Sequence, residues 1–520
     1  RHLGGVVTSG LTYTDIGRSE TIGGFAREFF GRVRAYYEGK YGADSPQVAA
    51  CRDGFYFEPH VAEAVFEALV AEQPGITVLR EHRIALVVVE GGRITALILD
   101  HLPAAARVAL RADQFIDATY EGDLMAFAGV PYRLGREGQY EFGEEHAGSQ
   151  YPPETRGQPD LLLQAYNFRL CLTDDPDLQV PILPPPGYDP SAYRLVAQYV
   201  QHSQVRQFDP YLLSLGPLPN RKYDGNNGYA WLSTDWVGQN YAYPGADFNT
   251  RAAIARAHLE YIQGLLYFLQ NDPSLPEELR REARRFSLAR DEFEDTGHWP
   301  RQMYIREARR MVGQYVLREQ DVRHDRYKPD AVAVGSYPID CHGVQRFFRE
   351  EGPPLTTGGL FIPVLPYEIP YRCLVPPQVS NLLVTVCCSA THVAYCTVRM
   401  EPVYMMLGHA AGVAAHLART GSGAVQEVNP AQLQSLLREQ GQVLEAPYWP
   451  VADFTATPAP EDPFTWTFAA APKWARAPIV RWWWDFEGDG RVDATEEAVK
   501  HTFPAAGTYS VGLLIEDQTG

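Results

Sequence analysis

Apolar positions along this chain fall into two periods. Between 249 and 271, Ile254, His258, Tyr261, Ile262, Leu265, Leu266 and Leu269 share one face of a 3.6-residue repeat, which predicts a long amphipathic helix. Val61, Val65, Ala68 and Leu69 predict a second helix over 61–72, and 26–38 reads as a third. Short apolar runs at 77–79, 84–89 and 94–99, the last two separated by Gly91-Gly92, predict antiparallel strands, and 108–110 and 114–116 continue the pattern. Tyr304, Ala308, Met311, Val312 and Tyr315 predict a helix over 299–318. Its Arg306, Arg309 and Arg310 read as a solvated, salt-bridged face or, less simply, as a clamp for an anion. Ser274 stands three residues before Glu277, the spacing of a capping box. The proline-rich 151–190 reads as irregular, 381–386 as a buried strand, and 402–419 as a helix whose Gly408 to Gly412 stretch is built of small residues.

The texture changes after 442. Pro447, Pro450, Pro458, Pro460 and Pro463 mark a linker, and 479–486, 499–503 and 508–516 alternate as strands of a small β-sandwich. A boundary near 453–461 divides the chain into domains 1–455 and 456–520. The larger is expected to be α/β with α+β insertions.

Charge narrows the function classes. Lys and Arg number 46 against 64 Asp and Glu, a net charge of −18, which argues against nucleic-acid partners and against anionic lipid. No apolar run approaches the ~18 residues of a membrane-spanning helix. The seven cysteines contain no C-x-x-C, so neither an iron–sulfur cluster nor a zinc ribbon is expected, and no metal is assigned. Cys387-Cys388 has no redox-motif spacing. The chain opens on Arg1 without a signal-peptide apolar core, so its start is expected to be processed or cut.

Three segments carry a resemblance: HLGGVVTSGLTYTD at 2–15, FIDATYEGDLMAFAGVPYRLGRE at 115–137, and YRCLVPPQVSNLLVTVCCSATHVAYCTVRMEPVYMMLGHAAGVAAHLA at 371–418. In this order they resemble the bacterial FAD-dependent oxidoreductases of the glutathione-reductase-like flavoprotein fold. KYDGNNGYAWLSTDWVGQNYAYP and DEFEDTGHWPRQMYIREARRMVGQYV in the middle of the chain fit the same family. The resemblance implies an FAD/NAD(P)-binding Rossmann-like domain with flavin-binding segments at 1–25, 110–150 and 370–420 and an inserted substrate or helical region at 151–369. It implies FAD as cofactor. The candidate cofactor-binding residues are Gly4, Gly5, Asp117, Ala118, Thr119, Gly122, Asp123, Glu401, Pro402 and Gly408. Glycines suit close approach to a pyrophosphate, and Pro402 opens a helix whose N-terminus suits negative charge on a flavin. The family's G-x-G-x-x-G is nowhere in the chain. The expectation is therefore a chain truncated by about 30–40 residues of an N-terminal βαβ unit.

The flavin performs the redox step, so the protein's part is to place substrate and handle protons. His392 and Arg399, between the last strand and the flavin-facing helix, are the first catalytic candidates: His392 as acid or base, Arg399 for a substrate carboxylate or anionic flavin. Tyr337 and His342, with Asp340 between them in GSYPIDCH, form a second polar cluster. The expected activity is hydride transfer between flavin and a small-molecule or carbohydrate-related substrate. The rival reading is a non-catalytic secreted binding protein that uses a degenerate flavin fold as scaffold.

The last sixty residues hold five of the nine tryptophans, Trp466, Trp474, Trp482, Trp483 and Trp484, more than a small sandwich core needs. VRWWWDFEGDGRVDATEEAVKHTFPAAGTYSVGLLIEDQTG resembles a polycystin-type (PKD) repeat, an immunoglobulin-like sandwich. That resemblance implies an extracellular or periplasmic protein whose C-terminal module contacts a polysaccharide or protein. Asp485, Glu487, Asp489, Gly490, Asp493 and Glu496 also occupy positions 1, 3, 5, 6, 9 and 12 of an EF-hand loop, so calcium stays open beside the reading as a hairpin turn.

Overall fold

The computed structural model describes all residues except 350–351, 447–449, 473–476 and 519–520. The expectations for Pro447 and Trp474 lie outside the described residues. The chain forms two compact units, Arg1–Ala446 and Pro447–Gly520. The division falls ahead of the 455/456 boundary expected from composition.

In the first unit, Gly24–Tyr41 and Pro59–Ala71 are helical and bury Phe29, Phe30, Val33, Tyr37, Val61 and Val65. They pack with the helix Glu401–Thr420, whose buried stripe includes Met406, Leu407, Ala410, Ala411 and Ala414. Small residues on that stripe let the helix lie close to its neighbours. Strands His82–Glu90, Arg93–His101 and Ala106–Leu110 form the antiparallel meander, whose first turn is Gly91-Gly92. No strand forms at 77–79. Phe115–Asp117 pairs in parallel with Leu382–Val384, in the register Phe115–Leu382, Ile116–Leu383 and Asp117–Val384. All three residues of Leu382–Val384 are buried, the signature of a strand covered on both faces.

A second core lies around the helix Phe248–Asn271, which buries His258, Tyr261, Ile262, Leu265, Leu266 and Leu269. Beside it runs a five-stranded antiparallel sheet, in the spatial order Gln179–Val180, Ser287–Ala289, Leu170–Thr173, Lys222–Asn227 and Leu213–Leu218. Two of these strands fall inside 151–190, so that segment is not wholly irregular. Ser274 caps nothing: Pro276 precedes Glu277–Ala283, and the Ser274 hydroxyl donates to Asp272.

The largest departure is 299–318, which contains no helix. The segment is extended, and Arg310–Met311 pairs with Tyr132–Arg133. Arg306, Glu307, Arg309 and Arg310 are all buried, so they are not a solvated face. Arg306 meets Asp235, Arg309 meets Asp123, and Arg310 meets Glu137 and Glu307. Buried charges must be paired, and the partners come from remote parts of the chain; this requirement overrides the helical spacing of the apolar residues.

In the second unit, Phe454–Ala459, Asp462–Ala470 and Ala498–Thr502 form one sheet and Ile479–Asp485 with Gly512–Asp517 another. Phe468, Trp484, Phe486 and Phe503 make the core, while Trp482 and Trp483 are half-buried. The acidic turn follows a strand, and Asp485 accepts backbone N–H groups from Gly488, Asp489 and Gly490.

Candidate functional site

The parallel pair ends at Asp117 and Val384, and a cavity of about 300 Å³ opens just beyond both ends. In open α/β sheets ligands collect there, outside the carboxyl ends of the strands. Ala118, Tyr120, Thr385 and Val386 line it from the strand side, Gly4, Gly5 and Val7 from the N-terminal turn, and Glu401, Tyr404, Met405 and Gly408 from the helix. Five of the ten candidate cofactor-binding residues (Gly4, Gly5, Ala118, Glu401 and Gly408) thus come from three distant segments to one wall.

The local reasons differ. Gly4 has φ +91° and starts the turn Gly5–Thr8; a Cβ there would run into Thr8 and Phe66. A Cβ on Gly408 would meet nothing within 4 Å, so that glycine leaves the cavity floor open. Tyr120 accepts a hydrogen bond from the Val6 N–H at 3.3 Å, which ties the N-terminal turn to the strand end.

The other five candidates lie outside this lining. Asp117 is buried and faces its own turn: it accepts from the Thr119 backbone at 3.0 Å, the Thr119 hydroxyl at 2.7 Å and the Met125 N–H at 2.9 Å. The Thr119 hydroxyl in turn accepts from the Gly122 N–H. Asp123 is clamped by Arg251, at 2.6 and 2.9 Å, and by Arg309, at 2.7 Å. Burial alone would raise its carboxyl, but the two arginines bring it below the ordinary carboxylate range. Pro402 sits in the first turn of Glu401–Thr420.

Glu401 is the informative residue. It is 2% exposed, and neither carboxylate oxygen has a hydrogen-bond partner. Burial pushes its carboxyl up to about 8. Near neutral pH it is therefore held as the neutral acid, and a buried carboxyl group without a hydrogen-bond partner marks a place where a ligand or water can bond it. The cavity volume is at the lower end of the ~300–1,000 Å³ of ligand pockets, enough for one ring system. The residues fit a flavin ring portion: a carboxyl group with no partner, a helix N-terminus, and a glycine-open floor.

Next to this cavity lies a buried polar cluster. Arg399 is 1% exposed and donates to the Tyr304 hydroxyl at 2.8 Å, the Asp340 carbonyl at 2.8 Å and the Asp340 carboxylate at 3.0 Å. His342 bonds Asp235 at 2.5 Å and lies 3.6 Å from the same Asp340 carboxylate. Arg399 and His342 therefore meet through Asp340. Burial and the Arg306 charge push His342 down, but Asp235 and Asp340 outweigh them and leave it above its ordinary value. Burial would raise Asp340, but His342 first and then Arg399 hold it well below. The Arg306 and Arg399 guanidiniums both lie over the Tyr304 ring, at 4.9 and 5.9 Å; Arg306 keeps Nε and Nη2, and Arg399 its Nε, buried without a partner. Tyr304 packs with Tyr120, which joins this cluster to the cavity wall. Tyr337 donates to Asp15 at 3.1 Å.

His392 stands in different company. Its Nδ1 meets Glu307 at 2.8 Å and its Nε2 meets the Cys341 sulfur at 3.3 Å. Burial would lower the imidazole, but Glu307 and Cys341 raise it to about 10. Among the residues sequence reasoning missed are Asp15, Asp235, Tyr304 and Glu307. Acidic residues inside apolar wording, as in WLSTDWVG, were the available signal for Asp235. Cys387 and Cys388 are buried free thiols, and Cys387 donates to the Tyr120 carbonyl.

A cavity at the carboxyl ends of parallel strands, with an orphaned acid beside a helix N-terminus, is the kind of site nucleotide-cofactor proteins use. The chain belongs to the FAD dependent oxidoreductase family, whose model matches residues 1–437. A PKD domain model matches residues 448–520. No curated protein and no solved structure matches the chain.

Proposed function

We propose that this protein is an FAD-dependent oxidoreductase that exchanges a hydride with a small-molecule or carbohydrate-related substrate bearing an anionic or polyhydroxylated group. The unpartnered carboxyl group of Glu401, a residue in the wall of the cavity beyond Asp117 and Val384, carries the reading. Bound there, FAD supplies the hydride acceptor or donor. Glu401, Gly4, Gly5, Ala118 and Gly408 hold the group, and the N-terminus of Glu401–Thr420 favours negative charge on it. The parallel pair supports a Rossmann-like frame, with 151–369 as the substrate side.

Arg399 and Arg306 orient the substrate. Their unpartnered N–H groups over Tyr304 suit a carboxylate or vicinal hydroxyls. His342, held between Asp235 and Asp340, moves the proton that accompanies hydride transfer. Tyr337 and Asp15 stand at the edge of the same cluster; Arg306, Arg399, Tyr304 and Asp235 are buried, and His342, Asp340, Tyr337 and Asp15 are half-buried. His392, with both ring nitrogens occupied, is left out of the proton-handling set.

The PKD domain supports export and a polysaccharide or protein contact through the C-terminal module. Among the described residues no helix is long and apolar enough to cross a membrane. The test is the visible spectrum of protein reconstituted with FAD, with the released flavin identified by chromatography. Stoichiometric FAD in preference to FMN is expected. Folded protein that stays colourless after reconstitution overturns the reading.

A further inference from the structure

His392 and Cys396 stand four residues apart on the helix His392–Val398, so they share one face. The strand Ile339–Cys341 crosses that face and delivers Cys341 to it. The sulfur atoms of Cys341 and Cys396 and a ring nitrogen of His392 all lie within 4.8 Å of one another, and all three residues are buried. We propose that Cys341, His392 and Cys396 form a binding site for a thiophilic d10 metal ion, Zn²⁺, separate from the flavin cavity.

The distances suit such an ion. Bonds of ~2.3 Å to sulfur and ~2.0 Å to nitrogen at a tetrahedral centre place S and N about 3.5 Å apart; the Cys341 sulfur and His392 Nε2 are 3.3 Å apart. The outer shell is in place as well. Ligating histidines usually give their second nitrogen to a carboxylate, and His392 Nδ1 meets Glu307 at 2.8 and 3.1 Å. Glu307 is in turn fixed by Arg310 at 2.9 Å and by the Gln164 amide at 3.2 Å. The same Gln164 amide donates to the Cys396 sulfur at 3.4 Å. Binding displaces the thiol and imidazole protons; the two thiolates formed cancel the charge of a divalent ion, and the neutral imidazole completes the set. Three protein ligands leave one position for water or another small ligand.

Cobalt replaces zinc with a visible signature. Protein stripped with chelator and titrated with Co²⁺ should take up one equivalent, with the absorption of a tetrahedral centre and thiolate-to-cobalt charge transfer, and Zn²⁺ should bleach it. Cys341→Ser and Cys396→Ser should each weaken binding at least tenfold. Cys388→Ser, a buried thiol outside the cluster, should keep it. A second readout needs no variant: zinc should slow alkylation of Cys341 and Cys396 in the unmodified protein, mapped by peptide mass. Absence of the charge-transfer band in folded protein overturns the site. So does binding that survives in the Cys341→Ser/Cys396→Ser double variant, or a Cys341–Cys396 disulfide in the protein as purified, which would mark a redox pair instead.

Discussion

Glu401 makes stability depend on pH in a way that one substitution removes. Its carboxyl is raised by burial from 4.5 to about 8 in the folded protein. The sign follows from linkage: the fold favours the protonated acid, so the group's contribution is complete below 4.5 and is lost as pH rises to about 8. At ~1.4 kcal/mol for each pH unit between 4.5 and about 8, this amounts to ~5 kcal/mol lost over that range. Glu401 is 2% exposed, so solvent screening takes little from that figure. Glu401→Gln keeps the shape and cannot ionise. In flavin-free protein the variant should match the parent near pH 4.5 and exceed it above pH 8. An unfolding entropy of ~2.1 cal/mol/K per residue, taken over the unit Arg1–Ala446, converts the difference to roughly 5 °C in Tm. Differential scanning calorimetry of both proteins at pH 5, 7 and 9 reads it directly. Parallel Tm-versus-pH curves would refute the reasoning, because they would show that Glu401 finds a partner or water in the free protein.

Lys222→Met should lower stability by ~3–5 kcal/mol, measured by thermal melting, because Lys222 bridges the buried Glu58 and Glu292 at 2.8 and 2.6 Å and its loss leaves Glu58 with only neutral donors, Tyr37 and Asn220, and Glu292 with His60. Arg399→Lys keeps the charge beside Asp340 but loses the fork, and should raise the catalytic barrier by ~2–4 kcal/mol, read from kcat/KM once a substrate is in hand, with the circular dichroism unchanged. Asp235→Asn should drop the His342 pKa toward its ordinary value, followed by NMR of the imidazole; the stability that His342 gains as imidazolium, present below ~6.5 and fading as pH rises through its higher folded value, should shrink with it. Millimolar Ca²⁺ should leave the melting of the isolated C-terminal module unchanged, because the Asp485 carboxylate already accepts three backbone N–H groups.

Helices with one apolar face were legible in the sequence because burial on one side leaves a period. Phe248–Asn271 and Pro59–Ala71 follow from their spacing to within a few residues, and Glu401–Thr420 was read from its run of small residues. The segment 299–318 has the same spacing and no helix. What decides it is the set of partners: Asp235, Asp123, Glu137 and His392 lie far off in the chain and draw Arg306, Arg309, Arg310 and Glu307 into the interior. Charge on a periodic segment reads as surface unless the remote counter-charges are known. The cavity-lining residues Gly4, Gly5, Ala118, Glu401 and Gly408 came from the wording of three segments; their convergence is a tertiary fact. Asp15, Asp235 and Glu307 lie inside the segments that carry the family resemblance, but nothing in their spacing singled them out; their roles arise from what folding sets beside them.

The strand Ile339–Cys341 shows how one short element serves two kinds of chemistry. Successive side chains of a strand point to opposite faces. Asp340 therefore meets Arg399 and His342, while Cys341, one residue on, meets His392 and Cys396. The strand is pinned by Leu360–Ile362, with Asp340 opposite Phe361 and Cys341 opposite Leu360. The helix side is pinned too: the Thr391 hydroxyl caps His392–Val398 by accepting the Ala394 N–H, and Arg399 follows directly at its end. A slip of one residue in the strand would put a thiol beside Arg399 and a carboxylate beside His392. The polar cluster next to the cavity and the thiol–imidazole cluster thus depend on a single register. Their separation is a consequence of the pleat, and any insertion between 339 and 342 should damage both sites together.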